Sequence, residues 1–175
     1  MSEKFRALCV DDEPAVRELF GAVVDNFQML TGVETEVFTA DNAVSGLNLA
    51  LREQVDFVLS DVNMPGGSGP FMLKGLLNGA SSPEIAFMSG GDVSEEDAMI
   101  IEYMMSDPRM LGMVKKPFDL ERIRSLLVVA SIRKGVLETG GVGQLADIND
   151  ISEEIADETS RACQNYGIAV GGRAW

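Results

Sequence analysis

Residues 55–69 read VDFVLSDVNMPGGSG, and this segment fixes the architecture of the chain. Its first half is a short apolar run that ends on Asp61, which is typical of a buried strand in a parallel sheet. Its second half must be a loop, because Pro65 and the glycines that follow it are incompatible with both helix and strand. The segment therefore predicts an α/β protein whose third strand ends on a carboxylate.

Three other apolar runs also end on side chains with reactive or charged groups. These runs and the residues that follow them are 7–10 with Asp11 and Asp12, 85–88 with Ser89, and 111–114 with Lys116. Since the carboxyl ends of neighbouring parallel strands lie side by side, we expect these side chains to meet Asp61 in one crevice. Three carboxylates, a hydroxyl and an ammonium in one place suggest a divalent metal and a phosphoryl group.

Segments with helical spacing of apolar residues alternate with the strands. We expect a further strand at 34–38, and helices at 14–27, 43–51, 71–77, 95–105 and 120–133. In the second helix, Asp41 or Asn42 is the expected cap, and Val44, Leu47 and Leu51 are expected on the inner face, with Ala50 beside them. Five strand–helix units in succession predict a parallel sheet with helices on both faces, the doubly wound α/β class.

The composition excludes several kinds of protein. With 14 basic and 28 acidic residues the formal charge is −14, which disfavours broad electrostatic binding to nucleic acid or to anionic membranes. The absence of histidine excludes Ser-His-Asp triads, Cys-His dyads and zinc sites with histidine ligands. Cys9 and Cys163 form no disulfide framework, and we interpret Cys9 as a small core residue. With neither a secretion signal nor an apolar span expected, the predicted location is the cytoplasm.

Each candidate residue has an ordinary explanation when it is taken alone. Asp11 and Asp12 could cap a helix, Asp61 could form a turn, and the remaining side chains could be solvated loop residues. Their occurrence together, each after a successive strand, favours a site. Crowded carboxylates repel one another, so such a site keeps a proton or holds a cation, and Mg²⁺ fits the donor set. An aspartate beside Mg²⁺ and Lys116 would be an oxygen nucleophile toward phosphorus. The Lys116–Pro117 bond is a candidate cis peptide.

Four groups of residues resemble the receiver domain of two-component response regulators, over roughly residues 4–134. They are the acidic pair Asp11-Asp12, Asp61-Val62-Asn63-Met64-Pro65 with Gly69, Met88-Ser89-Gly90, and Lys116-Pro117-Phe118. The resemblance implies the flavodoxin-like fold, with five parallel strands in the order 2-1-3-4-5. It also implies a signalling protein that is not an enzyme.

The resemblance also assigns roles to the residues. Asp61 would accept phosphate from a sensor histidine kinase or a histidine phosphotransfer protein. Mg²⁺ would be held by Asp11, Asp12, Asp61 and the backbone carbonyl of Asn63. Ser89 would move to bond the phosphoryl group, Lys116 would pair with it, and the output would be a contact with a downstream protein effector.

Two features depart from the family pattern. The family usually has Tyr or Phe three residues before the lysine, as a switch that follows the serine, whereas this chain has Met113. Met is flexible and fills irregular gaps, which puts the aromatic relay in question. The segment between Ser89 and Lys116 is also longer than is common, with Asp107-Pro108 expected to break it and to reshape the fourth helix.

We divide the chain into a receiver domain (1–134), a glycine-rich linker (135–147), and a C-terminal helix and tail (148–175). Apolar residues of the last part lie near one helical face, interrupted at Thr159: Leu145, Ile148, Ile151, Ile155, Ala162 and Tyr166. Two alternatives are open for this helix: it packs back on the receiver, or it binds a partner or forms a homodimer. Its acidic composition predicts no direct DNA binding.

Two other functions compete with the signalling switch. A phosphohydrolase with an aspartyl-phosphate intermediate resembles this pattern, but that family needs an acidic residue two positions after the nucleophile, where this chain has Asn63. The second is a phosphate-independent scaffold with the receiver fold. The intact set of site residues counts against it, and Met113 favours it.

Overall fold

The structure, a computed structural model, describes residues 4–78, 83–117, 120–138, 148–165 and 168. The strands are β1 (Phe5–Val10), β2 (Thr35–Ala40), β3 (Phe57–Asp61), β4 (Glu84–Ser89) and β5 (Met110–Lys115). The helices are α1 (Pro14–Thr31), α2 (Ala43–Glu53), α3 (Gly69–Leu77), α4 (Glu95–Met104), α5 (Leu120–Arg133) and α6 (Ile148–Asn165).

The strands form one parallel sheet of five strands in the order β2-β1-β3-β4-β5. This confirms the predicted doubly wound α/β fold and its strand order. Residues of β3 and β4 are buried throughout, because helices cover both faces of the sheet. One apolar core lies on the side of α1 and α5, and a second lies on the side of α2, α3 and α4.

The first helix follows the sequence pattern and the second does not. In α1 the residues Phe20, Val24 and Phe27 are buried as predicted, and Pro14 lies in the first turn. In α2 the cap is Asn42, whose side chain accepts a hydrogen bond from the Ser45 N–H at 2.9 Å.

The predicted inner face of α2 is wrong at Val44 and Leu51, which are 64% and 46% exposed. The buried residues of α2 are instead small: Ala43, Gly46 and Ala50. A Cβ atom on Gly46 would lie 2.8 Å from a methyl group of Val10. The helix axis therefore lies too close to the sheet for large side chains, and these are directed sideways.

The last helix packs against the outer edge of β5. Ile155 joins the core on the α5 side, whereas Cys163 and Ile168 join the core on the α4 side, so the chain wraps around the edge strand. This is the first of the two alternatives that the sequence left open. Leu145, Tyr166 and the side chains of Ile148, Ile151 and Ala162 lie outside the described residues.

Thr159, which interrupts the apolar stripe of α6, makes the central contact with β5. Its side chain is 1% exposed, and its Oγ1 accepts a hydrogen bond of 3.1 Å from the Met113 backbone N–H. Gly112 provides the space, since a Cβ atom there would collide with Thr159 Oγ1, and its φ of 151° favours glycine. An edge strand leaves alternate N–H groups unpaired, and Thr159 satisfies one of them.

The segment between α4 and β5 turns at Asp107-Pro108, as predicted. The α4 helix ends before it, and the Asp107 carboxylate binds both the backbone N–H and the guanidinium of Arg109 at 2.9 Å. The predicted linker is described only up to residue 138, and Phe118 and the tail apart from Ile168 lie outside the described residues, so the proposed domain boundaries stay a prediction. Within the described ranges, every helix is too short or too polar to cross a bilayer.

The contact between Thr159 and β5 leads to a stability prediction. Thr159→Val keeps the shape of the side chain but leaves the buried Met113 N–H without its acceptor, which should lower the free energy of unfolding by about 1–3 kcal/mol. Thr39→Val, at an exposed position of β2, is the matched control and should change it by less than about 0.5 kcal/mol. Urea denaturation of both variants measures the difference. Equal stabilities would show that the hydroxyl contributes nothing.

Candidate functional site

The strand register brings the predicted site residues to one edge of the sheet. Val10 is opposite Ser60, so Asp11 follows directly beside Asp61. Ser89 is opposite Lys115, and the Lys116 N–H donates a 2.7 Å hydrogen bond to the Ser89 carbonyl. The carboxyl ends of β1, β3, β4 and β5 are therefore adjacent, and each of them contributes a polar side chain.

The predicted carboxylates come together at this edge. One oxygen from each of Asp11, Asp12 and Asp61 lies within 4.8 Å of the other two. Asp11 and Asp61 are buried, whereas Asp12 is exposed. Two neighbouring buried charges at this separation repel each other by about 3–4 kcal/mol at an effective dielectric constant of about 20, so the fold must compensate them.

Lys116 supplies this compensation. Its ammonium nitrogen lies 2.6 Å from Asp11 Oδ2 and 2.7 Å from Asp61 Oδ2, and the lysine side chain is only 13% exposed. The side chain of Glu13 provides a third, exposed carboxylate at 3.2 Å. The peptide bond between Lys116 and Pro117 is cis, as predicted.

The titration behaviour of the two buried partners follows from this geometry. Burial raises the pKa of Asp11, although hydrogen bonds from Lys116 and from the Glu13 N–H oppose the rise. Burial lowers the pKa of Lys116, but hydrogen bonds and Coulomb attraction from Asp11 and Asp61 outweigh it, so the net pKa is raised. Lys116 is therefore a fixed positive charge at neutral pH.

Two further residues at the start of α1 support the acidic pair, and the sequence analysis missed both. Arg17 donates hydrogen bonds to the backbone carbonyls of Asp11 and Asp12, at 2.6 Å and 3.1 Å. The backbone N–H of Glu13 donates to Asp11 Oδ1 at 2.9 Å. The signal available in the sequence was a single arginine, Arg17, five residues after Asp12.

Asn63 and Ser89 connect the loops around the site. The Asn63 backbone N–H donates to Asp61 Oδ1 at 3.2 Å, and its side-chain amide donates to the Asp92 carbonyl at 2.9 Å. The Ser89 hydroxyl is buried and makes a long hydrogen bond of 3.3 Å to the Gly91 carbonyl. The loops after β3 and β4 are thus joined to each other. The roles predicted for Ser89 and for the Asn63 carbonyl stay predictions.

Glycines shape the walls of the site. A Cβ atom on Gly69 would collide with the backbone carbonyl of Asp61, so only glycine allows α3 to begin so close to β3. Gly90 also lies close to Lys116, since a Cβ atom added to Gly90 would be 3.1 Å from the lysine Cβ.

The donor set fits a divalent cation. The Lys116 ammonium pairs with two of the three clustered aspartates, Asp11 and Asp61, so an excess of negative charge remains at the site. Asp12, the exposed member of the cluster, gives access from solvent. Carboxylate oxygens at an open site, with room for water, are the ligands that Mg²⁺ prefers.

Comparisons with known proteins agree with this geometry. Residues 7–128 match a family model described as the response regulator receiver domain. A nitrate/nitrite response regulator protein homolog of Haemophilus influenzae is 27% identical over 115 residues, which are 61% of this chain and 52% of that protein. The transcriptional activator protein IrlR of Burkholderia pseudomallei is 29% identical over 172 residues, which are 94% of this chain and 64% of that protein.

The solved structures that resemble this chain have the same fold. The chemotaxis response regulator CheY4 of Vibrio cholerae has a TM-score of 0.57 at 23% identity, covering 73% of this chain and 99% of that one. The receiver domain of the response regulator NarL from Mycobacterium tuberculosis has a TM-score of 0.56 at 24% identity, covering 76% and 98%.

The packing of Gly69 against Asp61 gives a test of how the site is positioned. Gly69→Ala should lower the free energy of unfolding by about 2–4 kcal/mol, because the added methyl group must displace the backbone that carries Asp61. Gly75→Ala, in the same helix and with no atom closer than 3.9 Å, is the matched control and should be neutral or slightly stabilising. Thermal denaturation compares the two variants. A Gly69→Ala protein as stable as Gly75→Ala would contradict the close approach.

Proposed function

The chain belongs to the response regulator receiver domain family of two-component systems, and we propose that it works as a phospho-accepting switch with Asp61 as the acceptor. The observation that carries the proposal is the position of the Asp61 carboxylate. It lies at the carboxyl edge of the sheet, 2.7 Å from the Lys116 ammonium and within a cluster of three aspartates. A nucleophilic oxygen, a fixed cation and a candidate metal site thus meet at one point.

The proposed reaction moves a phosphoryl group from a histidine of a partner to Asp61. An Asp61 oxygen forms a bond to phosphorus, and the nitrogen–phosphorus bond of the donor breaks. The electron pair of that bond stays on the imidazole, which takes up a proton. Because the transferred group carries its charge on peripheral oxygens, catalysis needs positioning and charge neutralisation more than covalent chemistry.

In this scheme Asp11, Asp12, Asp61 and the backbone carbonyl of Asn63 would hold Mg²⁺. When bound, the ion supplies charge neutralisation for the phosphoryl oxygens and the aspartates. The chain's own residues do the rest. Arg17 fixes the backbone of the acidic pair, Asn63 holds the Asp61 carboxylate through its N–H, and Lys116 pairs with the acceptor.

The modified site would then change the loops beside it. A phosphoryl group adds about −1.5 to −2 charge and strong acceptor oxygens at Asp61. The Ser89 hydroxyl would exchange its long bond to the Gly91 carbonyl for a bond to a phosphoryl oxygen. Since Ser89 is paired with β5, this movement would reach Met113 and, through Met113, the α6 helix. We infer that α6 takes over part of the coupling that an aromatic residue provides in the family.

The partners of the whole protein are proposals. The chain spans about half the length of the first curated relatives that it matches. We propose a sensor histidine kinase or histidine phosphotransfer protein as the donor, and a downstream protein as the effector. Absence of direct DNA binding stays a prediction, because the relative that matches nearly the whole chain is named a transcriptional activator. A homodimer through α6 also stays a prediction.

The metal proposal predicts a weak and specific Mg²⁺ site. Asp12→Ala should weaken Mg²⁺ binding about tenfold, because the ion loses one of its few carboxylate ligands. The metal-free variant should be at least as heat-stable as the parent, since one repulsive charge is gone. Titration calorimetry measures the affinity, with Asp25→Ala, an exposed aspartate of α1, as the control. Equal affinity of Asp12→Ala and the parent would refute the assignment.

The acceptor proposal predicts one labile phosphoryl group per chain. With Mg²⁺ and a small acyl phosphate as donor, intact-mass measurement should show a single adduct on the parent and on Asp25→Asn, and none on Asp61→Asn. An adduct on Asp61→Asn would contradict the assignment. If the protein released many phosphate molecules per chain from an unrelated phosphomonoester, the phosphohydrolase alternative would be favoured. Failure of the parent to form any adduct would favour the scaffold.

A further inference from the structure

A groove of about 510 Å³ lies between α2, α3 and α4, beside the loop that follows Asp61. Its floor and walls are mostly apolar and are formed by residues of all three helices. The apolar lining includes Val44, Leu47, Phe71, Met72 and Ile100. Gly66 and Gly67 form one end of it.

Two large apolar side chains that line the groove are mostly exposed to solvent. Phe71 is 70% exposed and Val44 is 64% exposed, although they belong to different helices and line the same groove. Contiguous apolar surface of this kind marks an interaction site, whereas scattered apolar residues do not.

The position of α2 explains why these side chains face solvent. Small residues bring α2 against the sheet, and Val44 and Leu47 of its apolar pattern line the groove beside α3. Phe71 on α3 is likewise directed away from the core, while Leu73 and Leu76 fill it. The two most exposed apolar side chains of the groove, Val44 and Phe71, therefore belong to neither core.

The charged residues that line the groove identify the chemistry of its occupant. Among the described lining residues these are Glu96 and Asp97, and both are acidic. They lie in the first turn of α4, which contains the acidic residues Glu95, Glu96 and Asp97. An apolar groove with an acidic wall complements a segment that has apolar and basic side chains. A second copy of this chain, with a charge of −14, would bring further negative charge to this wall.

We propose that this groove docks an amphipathic helix of a partner protein, with its apolar face on Phe71, Val44 and Ile100 and basic side chains toward Glu96. Helix-in-groove recognition uses apolar anchors spaced by three or four residues, and a groove bounded by three helices suits that geometry. The outer edge of β5 is covered by α6, whereas this groove is open and lies next to the loop that follows Asp61. Docking does not depend on phosphorylation, so it can be tested apart from the proposed function.

The probe for this test is a synthetic helical peptide with leucines on one face and lysines on the other, labelled for fluorescence anisotropy. Phe71→Ser should weaken its binding about tenfold, because the peptide loses a large apolar contact. Met29→Ser removes an exposed apolar residue of α1, 75% exposed, and should change the affinity less than about twofold.

A second pair of variants tests the charge. Glu96→Lys and Glu18→Lys change the net charge equally, and Glu18 is an exposed residue of α1. We expect at least about threefold weaker binding for Glu96→Lys than for Glu18→Lys, with a difference that shrinks as salt is added. A control peptide with glutamates in place of the lysines should bind at least tenfold more weakly than the lysine peptide.

Three results would overturn the proposal. The first is equal affinity of the lysine peptide for Phe71→Ser and Met29→Ser, which would place the binding elsewhere. The second is equal binding of the acidic and basic peptides, which would remove the argument from charge. The third is self-association of the parent that Phe71→Ser abolishes in sedimentation velocity, which would identify a second copy of the chain as the occupant.

Discussion

The ammonium of Lys116 lies between two buried carboxylates, and the rest of the structure is arranged around this triple contact. Burying Asp11 and Asp61 side by side is costly unless a cation compensates them. The parallel sheet provides this compensation, because it brings the end of β5 next to the ends of β1 and β3 by way of β4. The excess negative charge that remains makes the site receptive to a divalent cation.

The strand β5 forms one edge of this sheet, and α6 covers that edge. Edge strands are commonly protected by charges, bulges or a covering element. Here α6 covers β5 and contributes to the cores on both faces of the sheet. Its Thr159 hydroxyl accepts a hydrogen bond from the Met113 N–H of the strand. Met113, where the family usually has an aromatic side chain, is buried under this helix. The strand that ends on Lys116 is therefore in contact with the site at one end and with α6 along its length.

The distribution of apolar surface follows from the choice of small residues on α2. Ala43, Gly46 and Ala50 let the helix approach the sheet closely, and the larger side chains of α2 then face α3 and solvent. Together with Phe71 they leave an apolar groove beside the loop that follows Asp61, with an acidic wall from α4. The close packing of α2 against the sheet and the apolar groove that we propose as a docking site are thus two results of one local arrangement.

The strand order was implied by the resemblance to receiver domains. The amino-acid sequence alone determined the fold class and brought Asp11, Asp12, Asp61, Ser89 and Lys116 to one edge of the sheet. It could do so because buried strands are continuous apolar runs, and because the residue after each run must lie at the same edge of a parallel sheet. Local patterns could not reveal two other features: the outward direction of Val44 and the contact of Thr159 with β5. Both depend on the packing of elements that are far apart in the chain, α2 against β1 and α6 against β5. In particular, Thr159 looked like a break in an apolar stripe, and only the tertiary structure supplied the unpaired N–H that gives a buried hydroxyl its function.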